Sequence, residues 1–489
     1  MNDSTGADPA FVLKPKRLKA GQISPIGLAA LAIGIMSPAC GLFALWGPMQ
    51  TATGPISPLV FIAAALLALP TAVSYAMLNS EAPSAGAAST WLWRAVSPSA
   101  GYLVGLTMAT YFLLAALAQP VLLGLFFRDF LQFCGFEARS IWVLLIAILL
   151  FTLPVMWTTH RGAEASTRLA VTLMVIESAV VVALSATILY VKGGVPGAIN
   201  LAPFNPTGAT HGFNGFWTAM LLGILAFCGF DVVSTAAEET NAPREHLPKA
   251  IILTIVGITI FWALNAWVFT LGIPHSQVVK YSEQGLTAVT PMARQFWGAG
   301  NILVILTAIT GISAVYITGA LGASRIIFAL ARHGLLPRPL ARLDASGRVP
   351  RESLHAVFAL VLIGNIAAVL LLHGNGLAAF TWWANAMVFF ATLTFTAVNL
   401  ANILYFRRIA RARFQVLRNL LVPAIGALLT LYVMYESFFV ALWSADFASG
   451  KSVVGFCVLL FALYIAIVWL MGRRAPERLE GPAPVEAPE

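Results

Sequence analysis

Twelve apolar runs, each about as long as a bilayer is thick, leave this chain few ways to fold. They cover roughly 24–47, 54–79, 98–127, 139–159, 168–191, 214–237, 249–273, 299–327, 353–373, 378–405, 419–443 and 451–472. A helix rising 1.5 Å per residue needs about 20 such residues to cross a ~30 Å hydrocarbon core. Inside that core every backbone N–H and C=O needs a partner within the protein, so only helices and closed barrels span it. Runs of this length, with glycine and proline inside them, suit helices rather than the short alternating strands of a barrel. Composition agrees: 59% of residues are hydrophobic and 10% are charged, against roughly a quarter charged in a soluble chain. The expected fold class is an all-α polytopic membrane protein with twelve transmembrane helices.

Charge sorts by loop. With the N-terminus placed inside, 23 of the 29 lysines and arginines fall on inner segments. This bias places both termini in the cytoplasm and matches an even number of spans. It accounts for the net charge of +9 without a nucleic-acid partner. The first run follows about twenty polar residues and leads into another span, unlike a cleaved signal peptide. Cys40, Cys134, Cys228 and Cys457 have neither metal-ligand spacing nor a disulfide framework and read as free thiols. No metal and no cofactor is expected.

Two runs are interrupted in a comparable way. The first contains GIMSPACGLF (34–43) and the sixth contains FCGFD (227–231), so each break opens a set of five spans. Glycine- or proline-interrupted spans at matching places in two halves point to a carrier site, because unwound backbone at bilayer depth must line a cavity or be buried. The stretch LGILAFCGFDVVSTAAEETNAPREHLP (222–248) also places Asp231 beside the second break. Glu177 in the fifth run is a second acid at mid-span. A carboxylate there costs about 2.5–3.5 kcal/mol on insertion scales and marks ion or substrate paths. Such an acid lowers that cost by protonating, or by meeting a cation that arrives with the substrate. The structural alternatives are a helix cap for Asp231 and an interhelical hydrogen bond for Glu177. Glu238 and Glu239, where the sixth span meets the cytoplasm, either tie inner loops together or form part of an inner gate. Phe227 and Phe230 either line a pocket or pack helices.

Four segments carry a family resemblance: TAVSYAMLNSEAPSAGAASTWLWRAVSPSAGYLVG (71–105), FCGFDVVSTAAEETNAPREHLPKAI (227–251), ASRIIFALARHGLLP (323–337) and CGLF (40–43). Taken in order, they resemble the amino acid–polyamine–organocation superfamily of permeases. The resemblance implies two inverted five-helix repeats, here 23–192 and 193–405. Two further helices (406–472) follow, with tails at 1–22 and 473–489. It places a substrate between broken helices 1 and 6. The substrate carboxylate would meet amides around Ala39, Cys40 and Gly41, next to Ser37. Its amine would meet carbonyls around Phe227 and Cys228, with Phe230 and Asp231 nearby. This chain has Ala39-Cys40-Gly41 where the family has Gly-Ser-Gly, and Glu177 near the place of a lysine in many members.

The reading is a permease moving an amino acid across the cytoplasmic membrane by alternating access. Its partners would be the lipid bilayer, a small-molecule substrate and a co-transported proton or cation, with Glu177 and Asp231 as coupling candidates. Exchange of substrate against product leaves the same marks in the sequence. A polyamine or primary-amine permease of the same superfamily is the alternative. An intramembrane enzyme would need an acid, base or metal constellation in mid-span, whereas the seven histidines lie in loops or near span ends. A non-transporting nutrient receptor would call for longer tails, and a channel for a pore loop or rings of charge.

Overall fold

The computed structural model describes residues 28, 32–33, 36–138, 140–161, 163–210, 212–237, 240, 242–283, 287–344, 349–443 and 450–474. The expected cytoplasmic tails lie almost entirely outside them. Every element among the described residues is a helix, and eleven helices are long and apolar enough to cross a membrane. The first run is only partly described and is not among the eleven.

The first run resumes after residue 36 as α1 (Pro38–Phe43) and α2 (Trp46–Thr53). Next come α3 (Ser57–Glu81), the short α4 (Ala88–Ala95) and α5 (Pro98–Phe133). The next two spans are α6 (Ile141–His160) and α7 (Ala163–Gly193). The sixth run is split into α8 (Gly212–Phe227) and α9 (Val232–Thr235). Beyond it lie α10 (Pro243–Gly272), α11 (His275–Glu283), α12 (Val289–Trp297) and α13 (Ile302–Arg332). The chain closes with α14 (Arg351–Leu371), α15 (Gly376–Arg408), α16 (Val422–Met434) and α17 (Gly450–Arg474).

The elements start and stop where local chemistry dictates. Ser97 accepts a hydrogen bond from the Ala100 amide and Pro98 occupies the first turn of α5, a serine cap followed by proline. At its far end α5 continues past the apolar run to Phe133, because charge at Arg128 and Asp129 does not stop a helix. Gly135, at φ 87°, stops it through bonds from its own amide to Gln132 O and from Phe136 N–H to Leu131 O.

Two layers follow from burial. Helices α5, α13 and α15 form the interior, while α6, α7 and α17 are largely exposed on the outside of the bundle. On α6 the exposed side chains Trp142, Ile146, Leu149, Leu153 and Trp157 recur at helical spacing. Such a stripe would be a liability in water and matches hydrocarbon. Inside, α13 lies close against α5: a Cβ on Gly319 would sit 3.5 Å from the Ala116 amide nitrogen. Small residues at such a crossing let helices pack without a hydrophobic drive.

Candidate functional site

Both interruptions are present, and each has a distinct local cause. In the first span the backbone leaves the helix at Ser37 (φ 40°, ψ 114°) and re-enters at Pro38. The interruption expected within 34–43 thus falls at Ser37, and Ala39, Cys40 and Gly41 lie in the first turns of α1. Alanine and cysteine in place of glycine carry a helix better, with a serine cap and proline at its start. In the sixth span the chain leaves the helix after Phe227, with Gly229 at φ 117°, and resumes at Val232. That φ suits only glycine.

Ser37 organises the first break. Its Oγ donates to Glu177 Oε2 at 2.6 Å and accepts from the Cys40 amide at 3.0 Å. Its carbonyl accepts from the Gly41 amide at 3.1 Å, and the Ala39 amide donates to Glu177 Oε2 at 3.3 Å. The three amides expected to receive a carboxylate are thus engaged, one of them by a carboxyl group from α7. Glu177 is fully buried, and its Oε1 has no hydrogen-bond partner among the described residues. Gly311 of α13 makes room for the pair, since a Cβ there would lie 2.8 Å from both Glu177 Cδ and Ser37 Oγ.

At the second break Asp231 is also fully buried. Tyr111 donates to its Oδ1 at 3.0 Å and Tyr75 to its Oδ2 at 3.1 Å. Its side chain makes no capping bond to α9, so the helix-cap alternative is not what the chain adopts. Phe230 packs edge-on to Tyr75 with centroids 5.6 Å apart and against Phe395 at 5.3 Å, which encloses the carboxylate in rings. The hydrogen bonds crossing the break run from the Cys228 amide to Ile224 O and Leu225 O and from the Val232 amide to Gly229 O. None of these uses the carbonyls of Phe227 and Cys228.

Between the breaks lies a cavity of about 50 Å³. Met36, Cys40, Gly41 and Leu45 of the first span face Leu225, Ala226 and Cys228 of the sixth. Gln119 of α5, Val315 of α13 and Phe380 and Met387 of α15 also contribute to its wall. Among the described residues, no acidic or basic side chain lines it. Of the expected binding residues, Cys40, Gly41 and Cys228 line the cavity, whereas Ser37, Ala39, Phe227, Phe230 and Asp231 do not. Glu238 and Glu239 lie outside the described residues.

Four residues at this place were not picked out from sequence. Tyr75 and Tyr111 hold Asp231. Trp262 of α10 spans the two breaks: its Nε1–H donates to the Pro38 carbonyl at 3.1 Å and its ring packs edge-on to Phe227 at 5.3 Å. Gln119 bonds through Nε2 to Ala115 O at 2.9 Å, and its Oε1 has no partner among the described residues. A carbonyl can only accept, so that bond also fixes which end of the amide is oxygen. The available signal was faint: Gln119-Pro120 puts a polar residue before a proline inside an apolar span.

Comparison with known proteins bears on this geometry. The family model for amino acid permeases matches residues 23–471. The branched-chain amino acid permease BcaP of Bacillus subtilis (strain 168) is 29% identical over 67% of this chain and 71% of its own. The low-affinity putrescine importer PlaP of Escherichia coli (strain K12) is 25% identical over 70% of this chain and 75% of its own. A crystal structure of a manganese transporter mutant from Eremococcus coleocola superposes with a TM-score of 0.56 at 13% identity. It covers 93% of this chain and 95% of that one, a likeness of fold.

Proposed function

Because the chain belongs to the amino acid permease family of the amino acid–polyamine–organocation superfamily, and is a multi-pass membrane transporter rather than an enzyme, we propose that it carries an amino acid with an apolar side chain across the cytoplasmic membrane. The observation that carries this reading is the cavity between the breaks, which has apolar walls, one carboxamide and, among the described residues, no charged side chain. An aliphatic side chain gains about 25 cal/mol for each Å² it buries there, while a second ammonium group would lose its water without gaining a counter-charge. The carbonyls of Phe227 and Cys228 and the Gln119 Oε1 are acceptors for one ammonium group. At the start of α1 the Ala39 amide, which Glu177 engages, is the donor a carboxylate would compete for, while the Cys40 and Gly41 amides are bonded to Ser37.

Those donors are held by Ser37 and Glu177, and this supplies a coupling step. An ionised Glu177 competes with a substrate carboxylate for the start of α1 and repels it. Protonation of Glu177 weakens its hold on the Ala39 amide and removes the repulsion. Proton and amino acid would therefore bind together, and the two proposed repeats, 23–192 and 193–405, would rock around the site by alternating access. Helices at 406–472 would flank them. Asp231 is the second coupling candidate, held beside the cavity by its two phenols. The polyamine reading rests on Asp231 and requires this carboxylate to leave both tyrosines and turn toward the cavity.

Uptake into proteoliposomes tests the proposal, using labelled leucine, alanine, arginine and putrescine with and without an inward proton gradient. Leucine should accumulate fastest and only with the gradient, and Glu177→Gln should remove the gradient dependence. Preferential uptake of putrescine or arginine would refute the apolar assignment. Gradient dependence intact in Glu177→Gln would make that residue structural, and gradient-free exchange of leucine for leucine would favour exchange.

A further inference from the structure

The end of the bundle that the positive-inside bias assigns to the outside carries a second, larger recess of about 140 Å³. It is built from the last turns of α5, from α12, and from the turn Gly298–Asn301 that leads into α13. Among the described residues, Asp129 and Arg294 are the only two charged ones lining it. The Asp129 Oδ2 accepts from Thr287 at 3.1 Å and from Thr290 at 3.0 Å, and no other hydrogen bond to this carboxylate is made by the described residues. The Asn301 side chain lines the same recess and is 4% exposed. Its Oδ1 has no hydrogen-bond partner among the described residues. Arg294 lies exposed at the rim.

We propose that this recess is a separate outer binding site for a zwitterionic amino acid, with the carboxylate on Arg294 and the ammonium group shared by Asp129 and Asn301. The inference rests on the amino acid reading above and extends it to a second place on the molecule. One acid and one base at a single recess select for a ligand carrying both charges. A diamine is attracted by Asp129 and repelled by Arg294, and a plain anion meets the reverse. Only a zwitterion satisfies both at once, and the guanidinium fork matches a carboxylate geometrically. Phe133 and Ile305 add an apolar wall for the ligand side chain.

The two sites draw lining residues from the same two helices, α5 and α13. Leu122 of α5 lines the central cavity, and Asp129 lies seven residues further along the same helix, about 10 Å at helical rise. The outer recess therefore captures substrate on the elements that lead to the central cavity.

The test is initial-rate uptake of labelled leucine into proteoliposomes by the full-length chain, with Asp129→Asn and Arg294→Gln, and with putrescine as competitor. Each variant should raise KM for leucine by about tenfold, the loss of one charge-assisted contact, with the effect in KM rather than kcat. Arg294→Gln should make putrescine a stronger competitor and Asp129→Asn a weaker one. A role confined to folding would not move these in opposite directions. Unchanged KM and unchanged competition in both variants, with normal leucine uptake by the native chain, would overturn the outer site alone. Uptake of putrescine but not leucine by the native chain would overturn the central reading and this one together.

Discussion

Gly41 shows how one missing side chain shapes the candidate site. Its φ is not in the left-handed region, so backbone freedom is not the reason for glycine here. The reason is Trp262, whose ring atoms would lie 2.5 Å from a Cβ on Gly41. Gly41→Ala should therefore overpack the junction of the two breaks, costing about 1–3 kcal/mol and lowering uptake per folded protein. The double variant Gly41→Ala with Trp262→Phe should recover part of the loss, read as thermal stability and leucine uptake in parallel. A harmless Gly41→Ala would show that the Trp262 ring moves aside freely. From sequence, Gly41 was legible as part of the first break. Trp262 was not, because a tryptophan in an apolar span, here with Trp267 five residues on, carries no periodic or motif signal of its own.

At the level of elements, the two interruptions differ in kind. The first is a serine held at positive φ and followed by a short capped helix, and the second is a glycine that only an achiral residue replaces without strain. Gly229→Ala should add about 1–3 kcal/mol of local strain at the break and cut initial uptake at least several-fold. Gly135→Ala is also at positive φ, but it lies at the open end of α5, where an added Cβ would meet nothing within 4 Å. It should cost similar stability and leave uptake per folded protein intact. Comparing the two separates backbone strain in general from strain at the site. Hydropathy located the spans well, yet ended the third run near 127 rather than at Phe133. Hydropathy reports where lipid contact ends, whereas a helix ends where a residue such as Gly135 turns the chain. In the first span the break was visible as 34–43, and the structure shows that Ser37 is the residue that takes the strain.

For the whole molecule, sidedness has a direct test in the thiols. Cys134 is exposed, Cys40 is half-buried, and Cys228 and Cys457 are buried. If both termini are cytoplasmic, a membrane-impermeant maleimide added to intact cells should label the protein at Cys134, and Cys134→Ser should remove that labelling. Labelling of Cys134 only in inverted vesicles would reverse the orientation. The sequence alone determined the membrane class, the helical architecture, the family and the two interrupted spans. Each of these follows from hydrophobic run length, obligatory backbone bonding in hydrocarbon, and local glycine, proline and motif chemistry. Only the tertiary structure decided that Asp231 is held by Tyr75 and Tyr111, that Glu177 occupies an amide of the first break, and that the described residues give the cavity between them no charged wall. Those facts depend on contacts between residues as far as 156 positions apart, and no local pattern encodes which side chain of one helix meets which of another.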